Sequence, residues 1–241
     1  MATLFVSDLH LCPERPRTCR IFLEFLSGPA RQAEALYILG DLFEYWAGDD
    51  DLDDPFNAGI CAALRALSDT GVAVFFMAGN RDFLAGDAFA RAAGLTRLPD
   101  PALIDLAGAA TLLMHGDTLC TDDVDYQRFR AEARSPAWQQ ALLALPLAER
   151  KAHIEAMRRQ SEAQKRIKPI EIVDVNPDAV LRSQTFHQWR RLIHGHTHRP
   201  AQHRLHIGGH ACERWVLPDW HDTGAYLACD AGGCRLLDWP A

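Results

Sequence analysis

The chain has 241 residues, enough for one large domain or two small ones with a full core, so folding requires neither a disulfide scaffold nor a structural metal. Apolar residues make up 48% and charged residues 24%, as in a soluble globular protein, and no apolar run approaches the roughly 20 residues that span a bilayer. A net charge of −7 argues against a nucleic-acid binder that works through overall charge.

In chain order, a strand is predicted near residues 2–7, followed by a helical stretch around 17–27. A second strand at 35–39 leads, through the acidic run Asp49 to Asp54, to a helix around 56–69. A third strand at 72–78 leads to a helix around 83–93. Alternating strands and helices predict an α/β sheet. After residue 115 the pattern changes. Residues 125–166 read as helical, because Trp138, Leu142 and Leu145 recur at helical spacing, Ile154 and Met157 continue the trend, and Pro136 and Pro146 suit helix starts. The expected organisation is a core of residues 1–124 and 171–241, with a helical cap inserted at 125–170. Short strands at 205–207, 214–217, 225–229 and 235–237 are expected to form a second sheet packed on the first.

The acidic run lacks the Gly and Glu of an EF-hand loop and reads as a solvated loop. The seven cysteines, Cys12, Cys19, Cys61, Cys120, Cys212, Cys229 and Cys234, are odd in number and show no CxxC spacing. Cys61 and Cys229 lie in apolar runs and read as buried thiols, which fits a reducing cytoplasm. The N-terminus has no basic region followed by an apolar stretch, so no signal peptide is expected.

Five short blocks carry the chemistry: Asp8-Leu9-His10, Gly40-Asp41, Gly79-Asn80, His115-Gly116-Asp117 and Gly195-His196-Thr197-His198. Each stands at or just after the end of an apolar run, which reads as a buried strand delivering a ligand to the carboxyl edge of a sheet. Together they offer seven candidate metal ligands: Asp8, His10, Asp41, Asn80, His115, His196 and His198. Two divalent ions roughly 3.5–4 Å apart need a shared carboxylate. Asp41, in a Gly-Asp turn after a strand, is the expected bridge. Asp8, His10 and His198 complete one site, and Asn80, His115 and His196 the other. A mixed nitrogen and oxygen set suits Mn, Fe, Zn or Co over Ca and Mg. A lone DxH or GD is usually a cap or turn; the ordered set of five is what carries the signal.

This set resembles the calcineurin-like metallophosphoesterase superfamily, with its D-x-H, G-D, G-N-H, G-H and G-H-x-H pattern. The resemblance covers residues 4–198. It implies a four-layer αββα sandwich and phosphoester hydrolysis by a metal-bound hydroxide. One position departs from the pattern: the histidine after Gly-Asn is Arg81 here. Arginine cannot give a proton to a leaving group but can offset charge on a phosphoryl transition state. That favours a leaving group that is itself a phosphate, hence a pyrophosphate substrate.

Gly79-Asn80-Arg81-Asp82-Phe83, residues 115–123 and residues 194–200 narrow the match, as do residues 5–11 and 40–46. They resemble the UDP-2,3-diacylglucosamine hydrolase family of lipid A biosynthesis. The resemblance implies two Mn2+ per chain and attack at the α-phosphorus of a lipid-linked UDP-sugar, giving UMP and 2,3-diacylglucosamine 1-phosphate. It assigns catalytic roles to Asp41, Asn80, Arg81 and His196, and substrate contacts to Asn80, Arg81, Asp123, Ser161, Lys165, Lys168 and His196.

Residues 147–168 carry seven Lys or Arg against three Glu. The plain reading is a solvated helix face with i,i+4 pairs. The functional reading is a basic surface toward a phosphorylated lipid and an anionic membrane, as for a peripheral enzyme on the cytoplasmic face of the inner membrane. Leu142, Leu145, Ile154 and Met157 are candidates for an acyl-chain groove or, for most of them, plain helix core. No nucleic acid or protein partner is implied. The alternative is a metallophosphoesterase acting on a soluble phosphoprotein or dinucleoside polyphosphate.

Overall fold

Successive side chains of a strand point to opposite faces of its sheet, and here that alternation separates three apolar layers. The structure, a computed structural model, describes residues 1–167 and 172–240, the side chains of 162–167 excepted. Its elements are β1 (Thr3–Val6), α1 (Pro16–Ser27), β2 (Ala35–Leu39), α2 (Pro55–Ser68), β3 (Ala73–Met77), α3 (Asp87–Ala93), β4 (Thr96–Leu98), β5 (Ala102–Leu106), β6 (Ala109–Met114), α4 (Val124–Ala133), α5 (Pro136–Leu143), α6 (Leu147–Ile167), α7 (Pro177–His187), β7 (Arg191–His194), β8 (Ala201–Ile207), β9 (His210–Val216), β10 (Gly224–Asp230) and β11 (Gly233–Trp239).

Leu4, Val6, Leu36, Ile38, Val74 and Phe76 face outward onto α1, α2 and α3. Phe5, Leu39 and Met77 face inward and meet Leu113, Ile193 and Trp215 of the other sheet. Leu112, Met114 and Leu192 face outward again, onto Ala179 and Val180 of α7. Helix, sheet, sheet and helix therefore stack around three cores, the expected αββα sandwich.

One sheet has the order β11-β10-β1-β2-β3-β4 and the other β5-β6-β7-β9-β8. Phe5, Tyr37 and Phe75 lie side by side across β1, β2 and β3, with ring centroids 5.0 and 4.5 Å apart. The C-terminal strands divide differently from expectation. β8 and β9 join the second sheet, but β10 pairs antiparallel with β1 and carries β11 with it into the first. Leu227 and Cys229 of β10 supply the inward apolar face beside Phe5 that such pairing needs. The β10–β11 register sets Cys229 opposite Cys234, and the two are disulfide-bonded. Cys229 is thus not the free thiol that its apolar setting suggested, whereas Cys61 is free and buried.

The acidic run is only partly a solvated loop: Asp50 and Asp53 are exposed, but several of its carboxylates have partners. The Asp49 carboxylate accepts from the amides of Gly86 (2.8 Å), Ala88 (2.8 Å) and Phe89 (3.1 Å) and from Trp46 Nε1 (3.1 Å), so it caps α3 from another segment. Asp54 caps α2 through the Phe56 amide at 2.9 Å. Asp50 pairs with Arg150 of α6, and Asp51 with Lys151 at 2.7 Å. Arg150 is only 1% exposed and also donates to Leu143 O at 2.9 Å. The basic stretch thus uses these two cations to dock α6 on the core, and the solvated-face reading fails for them. It holds for Arg159, which is exposed and pairs with Glu155 at i,i+4. Leu142 and Ile154 are buried in the cluster under α1–α3; Leu142 is core, while Ile154 also lines the cavity on the site.

Replacing Asp49 by Ala removes a helix cap and leaves several donors unpaired. We expect it to destabilise the fold by about 2–3 kcal/mol, read as a lowered denaturation midpoint in urea at unchanged m-value.

Candidate metal centre

Each sequence block begins where a strand ends. β1 delivers Asp8 and His10, β2 Asp41, β3 Asn80, β6 His115, and β7 His196 and His198. The first three strands lie in one sheet and the last two in the other, so two facing sheet edges, rather than one edge, assemble the site. Five of these residues are non-glycine with φ in the left-handed region: Asp8 (56°), His10 (50°), Asp41 (53°), His196 (71°) and His198 (54°). Such residues concentrate where surrounding structure enforces an unfavourable backbone for function.

The enforcement is visible. The amides of Asp8 and His10 donate to Gly40 O (3.1 Å) and Asp41 O (2.9 Å), and Gly195 N donates to His115 O (2.9 Å). Asp82 is fully buried and accepts from the amides of Gly79 and Leu42 at 2.7 Å each, and more loosely from Asp41 and Phe43. It joins the loops after β2 and β3. Two glycines are sterically required: a Cβ on Gly79 would stand 2.1 Å from Asp41 Oδ1, and one on Gly195 2.2 Å from Asp8 Oδ2.

Three imidazoles have an oxygen behind Nδ1. The Nδ1 of His115 faces Leu39 O at 2.9 Å and that of His198 faces Asp219 Oδ2 at 3.2 Å; that of His10 has Glu44 Oε2 behind it at 3.5 Å, an ion-pair distance without a hydrogen bond. With the proton held on Nδ1, the Nε2 of His115 and of His198 turns inward. Inward lone pairs then face other acceptors: His10 Nε2 lies 3.5 Å from His198 Nε2, and His115 Nε2 lies 3.0 Å from Asn80 Oδ1. Asp41 spans the two halves, its Oδ2 3.9 Å from His10 Nε2 and its Oδ1 3.7 Å from His115 Nε2. Donor atoms lie within 4.8 Å of one another in Asp8, His10 and His198, and again in Asp8, Asp41 and His115. Asn80 and His196 line the cavity beside this cluster. The His196 ring stands edge-on to His115 at 5.1 Å, and its amide donates to Asp8 Oδ2 at 2.8 Å.

The electrostatics ask for cations. Asp8 and Asp41 are buried together, and Asp8 Oδ1 has no hydrogen-bond partner. Burial disfavours a charged imidazole, but the carboxylates of Asp41, Asp8 and Asp117 outweigh it and raise His115 to about 9. Burial likewise opposes charge on His198, yet Asp219 and Asp8 raise it to about 10. His10, facing His198, is held well below the usual range by burial and its cationic neighbours, against the pull of Asp8. Left to itself the cluster gathers protons to offset its carboxylates. Divalent cations answer the same need, and oxygen with imidazole nitrogen is the donor set that holds them. The residues present fit a metal centre.

The centre opens into a cavity of about 560 Å³. Five of the seven predicted substrate contacts line it: Asn80, Arg81, Asp123, Ser161 and His196. The side chain of Lys165 and the whole of Lys168 lie outside the described residues. Asp123 also caps α4 through the Tyr126 amide at 3.1 Å. Arg81 is locked to the centre by its main chain, whose amide donates to Asp41 Oδ1 at 2.8 Å.

Sequence reasoning missed Glu44, Asp82, Asp219 and Tyr126. The Tyr126 ring stacks on His196 while its hydroxyl donates to Asp117 at 2.7 Å. Glu44 and Asp82 stand inside the blocks 40–46 and 79–83 that carry the resemblance, without a role assigned to them there; Asp219 and Tyr126 carried no signal. His194 is buried and hydrogen-bonded, Nδ1 donating to Gly195 O at 2.9 Å and Nε2 accepting from Arg214 at 3.0 Å. Burial and Arg214 lower its pKa to about 3, which keeps it neutral.

A family model of calcineurin-like phosphoesterases matches residues 1–200. A UDP-2,3-diacylglucosamine hydrolase of Aromatoleum aromaticum is 57% identical over 97% of this chain and 95% of its own length. Proteins of the same name from Pseudomonas paraeruginosa and Escherichia fergusonii are 51% and 49% identical over 100% of both chains. The chain belongs to the calcineurin-like phosphoesterase family and, within it, to the branch of the UDP-2,3-diacylglucosamine hydrolases.

Proposed function

We propose that the chain hydrolyses the pyrophosphate of UDP-2,3-diacylglucosamine in lipid A biosynthesis, giving UMP and 2,3-diacylglucosamine 1-phosphate. The observation that carries this reading is the mixed lining of the cavity on the metal centre. Asn80, Arg81 and His196 line it, and so do the apolar side chains of Phe83, Phe129, Ile154 and Met157. A nucleotide diphosphate and acyl chains need such a mixture. Relatives about half identical over their full length carry the matching name.

In this reading Asp8, His10, Asp41 and His198 would hold one ion, and Asp41, Asn80, His115 and His196 the other. When bound, the ions, proposed as Mn2+, supply a nucleophile from water near neutral pH and offset charge on the phosphoryl group. The bond that forms joins a water oxygen to the α-phosphorus; the bond that breaks joins that phosphorus to the bridging oxygen, which leaves with the sugar 1-phosphate. Arg81 offsets charge on the phosphoryl oxygens as the bond breaks. It cannot donate a proton, and a phosphate leaving group needs none. Asn80 and His196 orient the phosphoryl group, and Asp123, Ser161, Lys165 and Lys168 bind the remainder.

Helices α4–α6 act as a cap inserted at 125–170, closing over acyl chains. Exposed Val124 and Phe129, with Leu143 and Leu145, support contact with a lipid surface. Among the described residues no helix is long and apolar enough to cross a membrane. That supports peripheral attachment, which we place at the anionic cytoplasmic face of the inner membrane.

UMP release from UDP-2,3-diacylglucosamine should exceed release from unacylated UDP-N-acetylglucosamine by at least about 10²-fold, from the area of acyl chain buried; equal rates would contradict the lipid assignment. Asp41→Ala should abolish UMP release at every Mn2+ concentration, and near-normal turnover would exclude it as the bridge. Arg81→Ala should lower kcat by about 10³, measured at saturating substrate.

A further inference from the structure

Glu44 stands where three parts of the molecule meet. It follows Asp41 by three residues, is 6% exposed, and is held in place by its amide, which donates to Leu11 O at 3.0 Å. Its two carboxylate oxygens face different ways. Oε2 lies 3.5 Å from His10 Nδ1 and 3.9 Å from Arg15 Nη2. Oε1 lies 2.5 Å from Arg158 Nη2 of α6 and 3.8 Å from Arg81 Nη1.

We propose that Glu44 is a positioning residue: it fixes the ring of His10 through Nδ1 and ties that ligand to Arg81 and to α6. The inference rests on the metal-centre reading above and goes beyond it. Each of the three inward imidazoles has an acceptor behind it. Leu39 O serves His115 and Asp219 serves His198; Glu44 Oε2 stands behind His10 at 3.5 Å, where Nδ1 is buried and makes no hydrogen bond, so Glu44 is the carboxylate placed to take it up. A carboxylate at Nδ1 fixes the tautomer and orientation and makes Nε2 a better donor to a metal, an effect typically worth 10–100-fold in affinity. Unlike the other two acceptors, Glu44 also grips cations that border the substrate cavity. Arg81 and Arg158 both line that cavity, so one carboxylate links a ligand of the centre to the wall above it. Its role reaches the substrate through His10 and Arg81.

The test is calorimetric titration of the full-length metal-free protein with Mn2+ alone, for Glu44→Ala, Glu44→Gln, Arg158→Met and Asp41→Ala. Glu44→Ala should weaken one of the two binding events roughly 10–100-fold and spare the other, since only His10 loses its partner. Glu44→Gln, which keeps the size and an acceptor but not the charge, should show a smaller loss at the same event. Its UMP release should show lowered kcat. Arg158→Met should leave Mn2+ affinity as in the wild type while raising KM. Unchanged affinity in Glu44→Ala, or equal loss at both events, would overturn the positioning role. If Glu44→Ala does not fold, unchanged affinity in Glu44→Gln does so instead. Asp41→Ala must weaken both events; if it weakens neither, the metal-centre reading itself has failed, whatever Glu44 shows.

Discussion

Two carboxylates, Asp8 and Asp41, are buried side by side at the ends of adjacent parallel strands, and the surrounding structure depends on offsetting their charge. Burial of unpaired carboxylates is among the costlier things a fold can do. This chain surrounds them with His10, His115 and His198, the latter two turned inward by an acceptor behind each. It fixes the supporting loops through Asp82 and keeps the backbone strained at five ligands. None of this improves a plain core. All of it makes sense where cations complete the set, because the same geometry that is unfavourable empty of charge becomes favourable around divalent ions.

Much of the site was legible in the sequence because strand ends are legible. Apolar runs at 4–6, 36–39, 72–77, 112–114 and 192–193 stop at Asp8, Asp41, Asn80, His115 and His196, and each lies in or against an observed strand. Parallel strands buried on both faces read as continuous apolar runs, so their ends stand out. The strand and helix pattern gave an α/β sheet with a second sheet packed on it, and the αββα layering came from the family resemblance. The sheet assignment of β10 and β11 did not, since a hydrophobic alternation specifies a face but not a partner strand. Helix α7 also escaped notice. Its Pro177 start and Asn176 cap are present, but the stretch lacks the strong apolar stripe that marks an amphipathic helix.

The residues behind the ligands were harder to read. Asp82 and Asp219 act through single carboxylates in loops, where acidic residues are common and their partners lie far away in sequence. The acidic run from Asp49 to Asp54 shows the same difficulty. Its composition suggests solvation, yet Asp49 caps α3 and Asp50 and Asp51 receive Arg150 and Lys151 of α6. Local charge density says nothing about which distant cations or amides answer it. Here the answer joins α6 to the core beside the metal centre, and Glu44 repeats the connection about two turns of α6 further on, through Arg158.

The central claim is that two metal ions share Asp41 beneath a cavity fitted to a lipid-linked nucleotide. Anomalous diffraction at the manganese edge, from crystals of the full chain grown with Mn2+, tests it most directly. The account predicts two peaks roughly 3.5–4 Å apart, one among Asp8, His10 and His198, the other among Asn80, His115 and His196, with Asp41 between them. A single peak, or two peaks without Asp41 between them, would contradict it.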